Sequence, residues 1–182
     1  MRTALPLLVV LLAAAPLAAQ EHHPALAPLA PLVGETWRGT FDVNGAAVTD
    51  VSRYEWAMKG QAIRNIHTLE GGSYGGETLI WPEGDSLTFI YVTSGGFTTS
   101  GTGHVDASGA LVVEEVVEGH PEIDRVRSTS RLSDDGTLVA VSEMRRNGTW
   151  EPSRRAVYAR APEARLAPGF APACTHGHAS GE

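Results

Sequence analysis

The sequence predicts an all-β protein, folded as a single antiparallel up-and-down β-barrel of about ten strands. Three observations carry that reading. Between residues 32 and 160, short runs of alternating apolar and polar residues recur at close intervals. Turn signals bound each run, among them Asn44-Gly45, Asp135-Gly136 and Asn147-Gly148. No amphipathic helix of useful length interrupts the series, so consecutive strands are joined by hairpin-length links. A two-sheet sandwich is the alternative arrangement.

Taken in order, residues 1–20 come first and stand apart. Arg2 gives a short positive start, LPLLVVLLAAAPLAA an apolar run ending in small residues, and cleavage is expected after Ala19 or Gln20. The run is too short and wrongly flanked for a membrane anchor. No cysteine follows it, which argues against a lipoprotein. Residues 21–31 (EHHPALAPLAP) are Pro- and Ala-rich and predict a mobile lead-in or one short helical turn.

Strands are expected near 36–43, 50–58, 62–69, 76–82, 86–93, 97–105, 110–118, 123–132, 137–145 and 150–160. Alternation assigns their faces. Trp37, Gly39, Phe41 and Val43 share one side of the first strand, Tyr54, Trp56 and Met58 one side of the second, and Leu87, Phe89 and Tyr91 one side of the fifth. In the eighth, Val126, Ser128, Ser130 and Leu132 oppose Arg125, Arg127, Thr129 and Arg131. In the last, Arg154, Ala156, Tyr158 and Arg160 fall together. The third and seventh strands are ambiguous. Asn-Gly and Asp-Gly predict turns with φ > 0 at both central positions. Residues 161–182, with three prolines and no periodicity, predict a disordered tail.

Composition narrows the function. The chain has 14 Lys and Arg against 21 Asp and Glu, and losing Arg2 with the leader makes it one unit more acidic. Without a basic run it lacks the electrostatic footprint of a nucleic-acid binder. Lys59 is the single lysine, and the arginine- and alanine-rich usage suggests a high-GC bacterial source. Cys174 is the single cysteine, so no internal disulfide is available in a secreted or periplasmic setting, and stability has to come from packing.

Gly34, Trp37 and the alternation that follows resemble the opening strand of lipocalin-like (calycin-type) barrels, with Gly-x-x-Trp where Gly-x-Trp is commoner. RYEWAMKGQAIRNIH, from Arg53 to His67, looks like the second hairpin of secreted bacterial barrels of unknown function. The resemblance spans residues 32–160. It implies that Gly34 and Trp37 form a structural plug at one barrel end, with an arginine of the final strand (Arg154 or Arg155) covering the indole. There is also a distant similarity to nitrobindin-type barrels, which bind haem through a histidine near the chain's end. Residues 121–160 hold no histidine, and His67 and His104 lie on earlier strands, so no cofactor is expected.

Tyr54, Trp56, Phe89, Tyr91, Phe97 and Tyr158 make a candidate aromatic cavity for a small apolar or amphipathic ligand, with His67 or Arg127 as a polar anchor. For Arg127, an exposed cross-strand ion pair with Glu114 is the favoured reading. Other constellations are weaker. A histidine third from the mature amino terminus (His22 after cleavage at Ala19, His23 after cleavage at Gln20), and Cys174 with His176 and His178, have ligand types that suit metals but no preformed surroundings. His120, Glu122 and Asp124 alternate in a Pro-containing loop that reads as a solvated turn. Gly101-Thr-Gly-His104 lacks the strand-to-helix setting of a phosphate loop. Asn147-Gly-Thr149 fits both a glycosylation acceptor and a hairpin turn. No catalytic motif is present, and the sequence predicts a binding protein rather than an enzyme. The alternative is a filled-barrel structural or interaction module acting through its surface or termini.

Overall fold

The computed structural model of the chain describes residues 22–43 and 45–170. The leader over 1–20 and the Cys174, His176 and His178 group lie outside the described residues. The chain forms ten strands: β1 (Thr36–Val43), β2 (Ala46–Ala57), β3 (Ala62–Leu69), β4 (Gly75–Glu83), β5 (Ser86–Thr93), β6 (Thr98–Val105), β7 (Leu111–Glu118), β8 (Ile123–Leu132), β9 (Leu138–Arg146) and β10 (Thr149–Arg160). Each pairs antiparallel with its neighbour in sequence, and β1 closes onto β10, so the sheet is a closed up-and-down barrel. Closure removes the free edges that an open sheet would expose.

Asn44 lies outside the described residues; of the other two expected hairpin turns, one forms as its residues dictate and one is corrected. Asn147 and Gly148 both adopt positive φ (+49° and +80°), as a type I′ hairpin requires. At Asp135-Gly136 only the glycine does. There the Asp135 carboxylate accepts from the Thr137 N–H and hydroxyl, at 3.0 and 2.7 Å, and Gly136 N–H donates to the Ser133 carbonyl at 2.9 Å. An aspartate able to bond its own backbone two residues on makes a longer turn, closed by a left-handed glycine. Asp106 to Gly109 repeats the device between β6 and β7.

The lead-in is more ordered than its composition suggests. Pro24–Leu32 forms a 3₁₀ helix, and Leu26, Leu29 and Leu32 are all buried. A 3₁₀ helix has three residues per turn, so leucines three apart stack on one face. That face caps one barrel end over Trp37, Ile63, Ile80, Leu87 and Leu138. Trp37 is fully buried, and its indole N–H donates to the Leu32 carbonyl at 3.2 Å. Gly34 turns the chain from the cap into β1 with φ +83°, and its N–H donates to the Tyr54 carbonyl at 2.9 Å. The arginine over the indole is Arg160, its Cζ 5.1 Å from the ring, rather than Arg154 or Arg155. Arg160 stands directly opposite Trp37 in the β1–β10 register, whereas Arg154 lies six residues further towards the other end.

The expected tail is also partly structured. Residues 161–170 lie against the outer wall: Ala161 N–H donates to the Thr36 carbonyl (2.8 Å) and Ala167 N–H to the Thr68 hydroxyl (3.0 Å). Phe170 seats over Gly75, where a Cβ would stand 2.8 Å from the ring. Ile66 and Thr68, on the outer face of β3, are buried as a result. That explains the ambiguous alternation of β3, which is covered on both sides.

Two glycines inside strands serve as seats for tyrosine rings. A Cβ on Gly39 would stand 2.6 Å from Cδ1 of Tyr158, and one on Gly76 would stand 2.4 Å from Cε2 of Tyr91. Gly39→Ala is therefore expected to displace Tyr158 and to lower stability by roughly 1–3 kcal/mol, the usual cost of overpacking, as read by urea unfolding.

Candidate functional site

The barrel encloses a cavity of about 420 Å³. Its lining is graded along the barrel axis. Towards the capped end it is apolar, with Leu29, Leu32, Ile80, Leu87, Leu111, Leu132 and Leu138. Midway it becomes polar, with Asp50, His67, Tyr91, Glu115, Ser128, Ser142 and Arg154, and beyond them Val117, Val126 and Met144 make it apolar again towards the far end. The far end carries the 70–74, 94–97 and 119–122 loops, which bring Tyr74, Phe97 and His120 to the lining. Phe97 meets the His120 ring edge-on, with centroids 5.4 Å apart. His120 Nδ1 accepts the N–H groups of Glu122 and Ile123, each at 3.1 Å, which fixes the ring at the rim.

One buried carboxylate organises the polar level. Asp50 accepts the Tyr158 hydroxyl at 2.9 Å, and its other oxygen lies 2.8 Å from His67 Nδ1. His67 Nε2 lies 2.6 Å from the Tyr91 hydroxyl, which lies 3.0 Å from that of Tyr74. A carboxylate only accepts, so the imidazole carries its proton on Nδ1. With a neutral ring, Tyr74 donates to Tyr91 and Tyr91 to Nε2; protonation of the ring reverses both bonds. Burial pushes the Tyr54 phenol up to about 12 and raises Tyr91, Tyr158 and Tyr74 as well, so these groups remain hydrogen-bonding hydroxyls rather than phenolates. Burial also raises the Glu115 carboxyl, against the hydroxyl that Thr99 donates to it and the distant charge of Arg154.

Arg154 reaches the interior because of a β-bulge. The β9–β10 register shifts between Pro152 and Arg154, leaving Ser153 without a partner. Trp150 faces outwards against Arg127, so strict alternation from Trp150 would put Arg154 outside too. The extra residue reverses the parity and aims Arg154 inwards, the usual effect of a bulge. Its Cζ lies 5.0 Å over the Phe41 ring, and among the described residues it makes no ion pair.

Of the residues expected to contact ligand, the structure brings Tyr54, His67, Phe89, Tyr91, Phe97 and Tyr158 to one cavity. Trp56 is not among them. It belongs to the capped end, stacked on His22 at 3.7 Å, because the 3₁₀ cap occupies the interior beside it. Arg127 is outside, as expected, but pairs with Glu143 (2.6 Å) and the Trp150 ring, while Glu114 is held by Arg125 (2.7 Å). His104 is exposed on the outer face. The HPEID loop is only partly solvated, since His120 turns to the cavity rim, while Glu122 and Asp124 pair outwards with Arg146 and Arg145. The sequence reading missed Asp50, Tyr74 and Glu115 as site residues and gave Arg154 a different role. The parity of Arg154 with Tyr158 was the available signal. No group of three or more metal-ligating side chains occurs among the described residues.

The fold is lipocalin-like. It matches the crystal structure of Rv2717c from M. tuberculosis with a TM-score of 0.62 at 17% identity, over 78% of this chain and 99% of that one. No protein-family model and no curated protein matches the chain.

Two outcomes follow for the polar level. Asp50→Ala removes the acceptor of both the Tyr158 hydroxyl and the His67 N–H, and is expected to cost roughly 2–5 kcal/mol in chemical unfolding. Glu115 has a raised folded pKa, so the folded state holds this proton longer than the unfolded chain. The associated stability is fully present below about pH 4.5, the unfolded value, and is lost as pH rises through the folded value. Glu115→Gln is expected to raise Tm at pH 7, with the gain vanishing below the unfolded value; a gain constant across that range would contradict the assignment.

Proposed function

We propose that the protein is an exported carrier that binds a small, partly apolar molecule inside its barrel and performs no covalent chemistry on it. The observation that carries this reading is the cavity, whose largely apolar wall is crossed midway by a band of polar groups. Export rests on the leader-like residues 1–20. Affinity comes from apolar surface withdrawn from water, at roughly 25 cal/mol per Å². The hydroxyls and charged groups above the floor supply orientation. Neutral, strongly buried tyrosines suit hydrogen bonding better than nucleophilic attack, which favours binding over catalysis. The cavity weighs against a barrel filled by its own side chains.

Native mass spectrometry of protein purified from its exporting cells tests the reading. The expected result is a reproducible adduct that leaves on denaturation; a bare polypeptide mass in repeated preparations counts against it. Ala140→Trp, which places an indole in the cavity, is expected to abolish the adduct while the far-ultraviolet circular dichroism is unchanged. Trp56→Ala is expected to weaken folding and leave the adduct in place, because Trp56 packs at the capped end.

A further inference from the structure

The β-bulge at Ser153 assembles a row of hydrogen-bond donors that the protein itself leaves unused. Arg154 pairs in register with Ser142 of β9, and Ser142 pairs with Ser128 of β8. Directly opposed residues on one face of a sheet have Cβ atoms about 4.5–5.5 Å apart, so the three side chains form one lateral row on the cavity wall. Among the described residues, neither serine hydroxyl has a hydrogen-bond partner, and Arg154 has only the Phe41 ring. The two acidic groups of the cavity, Asp50 and Glu115, have partners other than Arg154. Asp50 accepts from Tyr158 and lies against His67, and Glu115 takes the Thr99 hydroxyl.

A half-buried guanidinium that makes no ion pair keeps its N–H donors open to water or to a ligand. Its Cζ leans over Phe41 of β1, while the two serines whose hydroxyls have no partner stand level with its backbone position on β9 and β8, above an apolar floor. Resting on the carrier reading above, we infer that the ligand is an amphipathic carboxylate: its head takes the Arg154–Ser142–Ser128 row and its apolar body lies on the Leu87, Leu111 and Leu138 floor. The planar fork of arginine matches the two oxygens of a carboxylate, and the adjacent hydroxyls add donors to the same oxygens. The head is then held at the polar level, and the apolar body lies towards the cap.

Naphthalene-2-acetate and naphthalene-2-acetamide, nearly isosteric and differing in charge, test this by isothermal titration calorimetry on the mature full chain. N-phenyl-1-naphthylamine, a neutral fluorescent probe, reports cavity binding independently. The expected result is that the acid binds roughly ten- to hundredfold more tightly than the amide, the range for a charge-assisted hydrogen bond. Arg154→Met, which keeps an apolar stem of similar length, is expected to bring the acid down to the affinity of the amide or below, while N-phenyl-1-naphthylamine, which has no acceptor oxygen, still binds. Equal binding of acid and amide to the unsubstituted protein, with the neutral probe still bound, overturns the anionic ligand and leaves the carrier reading standing. Failure of all three probes to bind overturns both. The comparison on the unsubstituted protein decides the matter even if Arg154→Met does not fold.

Discussion

Closure of the sheet between β1 and β10 is the constraint on which the rest of the molecule depends. Only four residue pairs make that seam, from Trp37–Arg160 to Thr40–Val157, although both strands continue beyond it. So short a ladder needs support from packing. Trp37 supplies it from within, fully buried under the 3₁₀ cap, and Arg160 covers the indole. Tyr158 lies flat on Gly39 across the same seam and ties β10 to β2 through Asp50. With the ring closed, every second residue of every strand is committed to the interior, and the character of that interior follows.

The interior is divided by the same arrangement. Near the cap, leucines from several strands meet the leucine face of the 3₁₀ helix and exclude water. Further from the cap, two carboxyl groups, an imidazole, several phenols and a guanidinium share a space too large for them to fill. Each buried polar group there is expensive unless it is bonded. Asp50 meets that demand by joining β2 to β3 and β10, and the tyrosine hydroxyls extend the chain of bonds to β5 and to Tyr74 in the 70–74 loop. Such a network holds its rings in place.

Much of this was legible from the residues in order. Strand number, order and boundaries follow from alternation and turn chemistry, with β2 beginning at Ala46 rather than 50. The inward set Val126, Ser128, Ser130 and Leu132 on β8 emerged as read. Where the reading failed, something outside the strand had intervened. The outer face of β3 looked apolar because residues 161–170 cover it. Trp56 shares its parity with Tyr54 but meets the cap instead of the cavity. Leu26, Leu29 and Leu32 repeat at three, a period that an α-helix or strand template does not detect.

The amino-acid sequence by itself determined that the chain forms an all-β, antiparallel series of strands and which faces of most strands are apolar, because those depend on local backbone preference and a period of two. Only the tertiary structure decided which interior residues meet. Asp50, His67, Tyr91 and Tyr158 come from four strands, and the Arg154–Ser142–Ser128 row depends on register across three. A single unpaired residue, Ser153, sets the direction of Arg154. Register and bulges are properties of paired strands, so no one strand's sequence contains them.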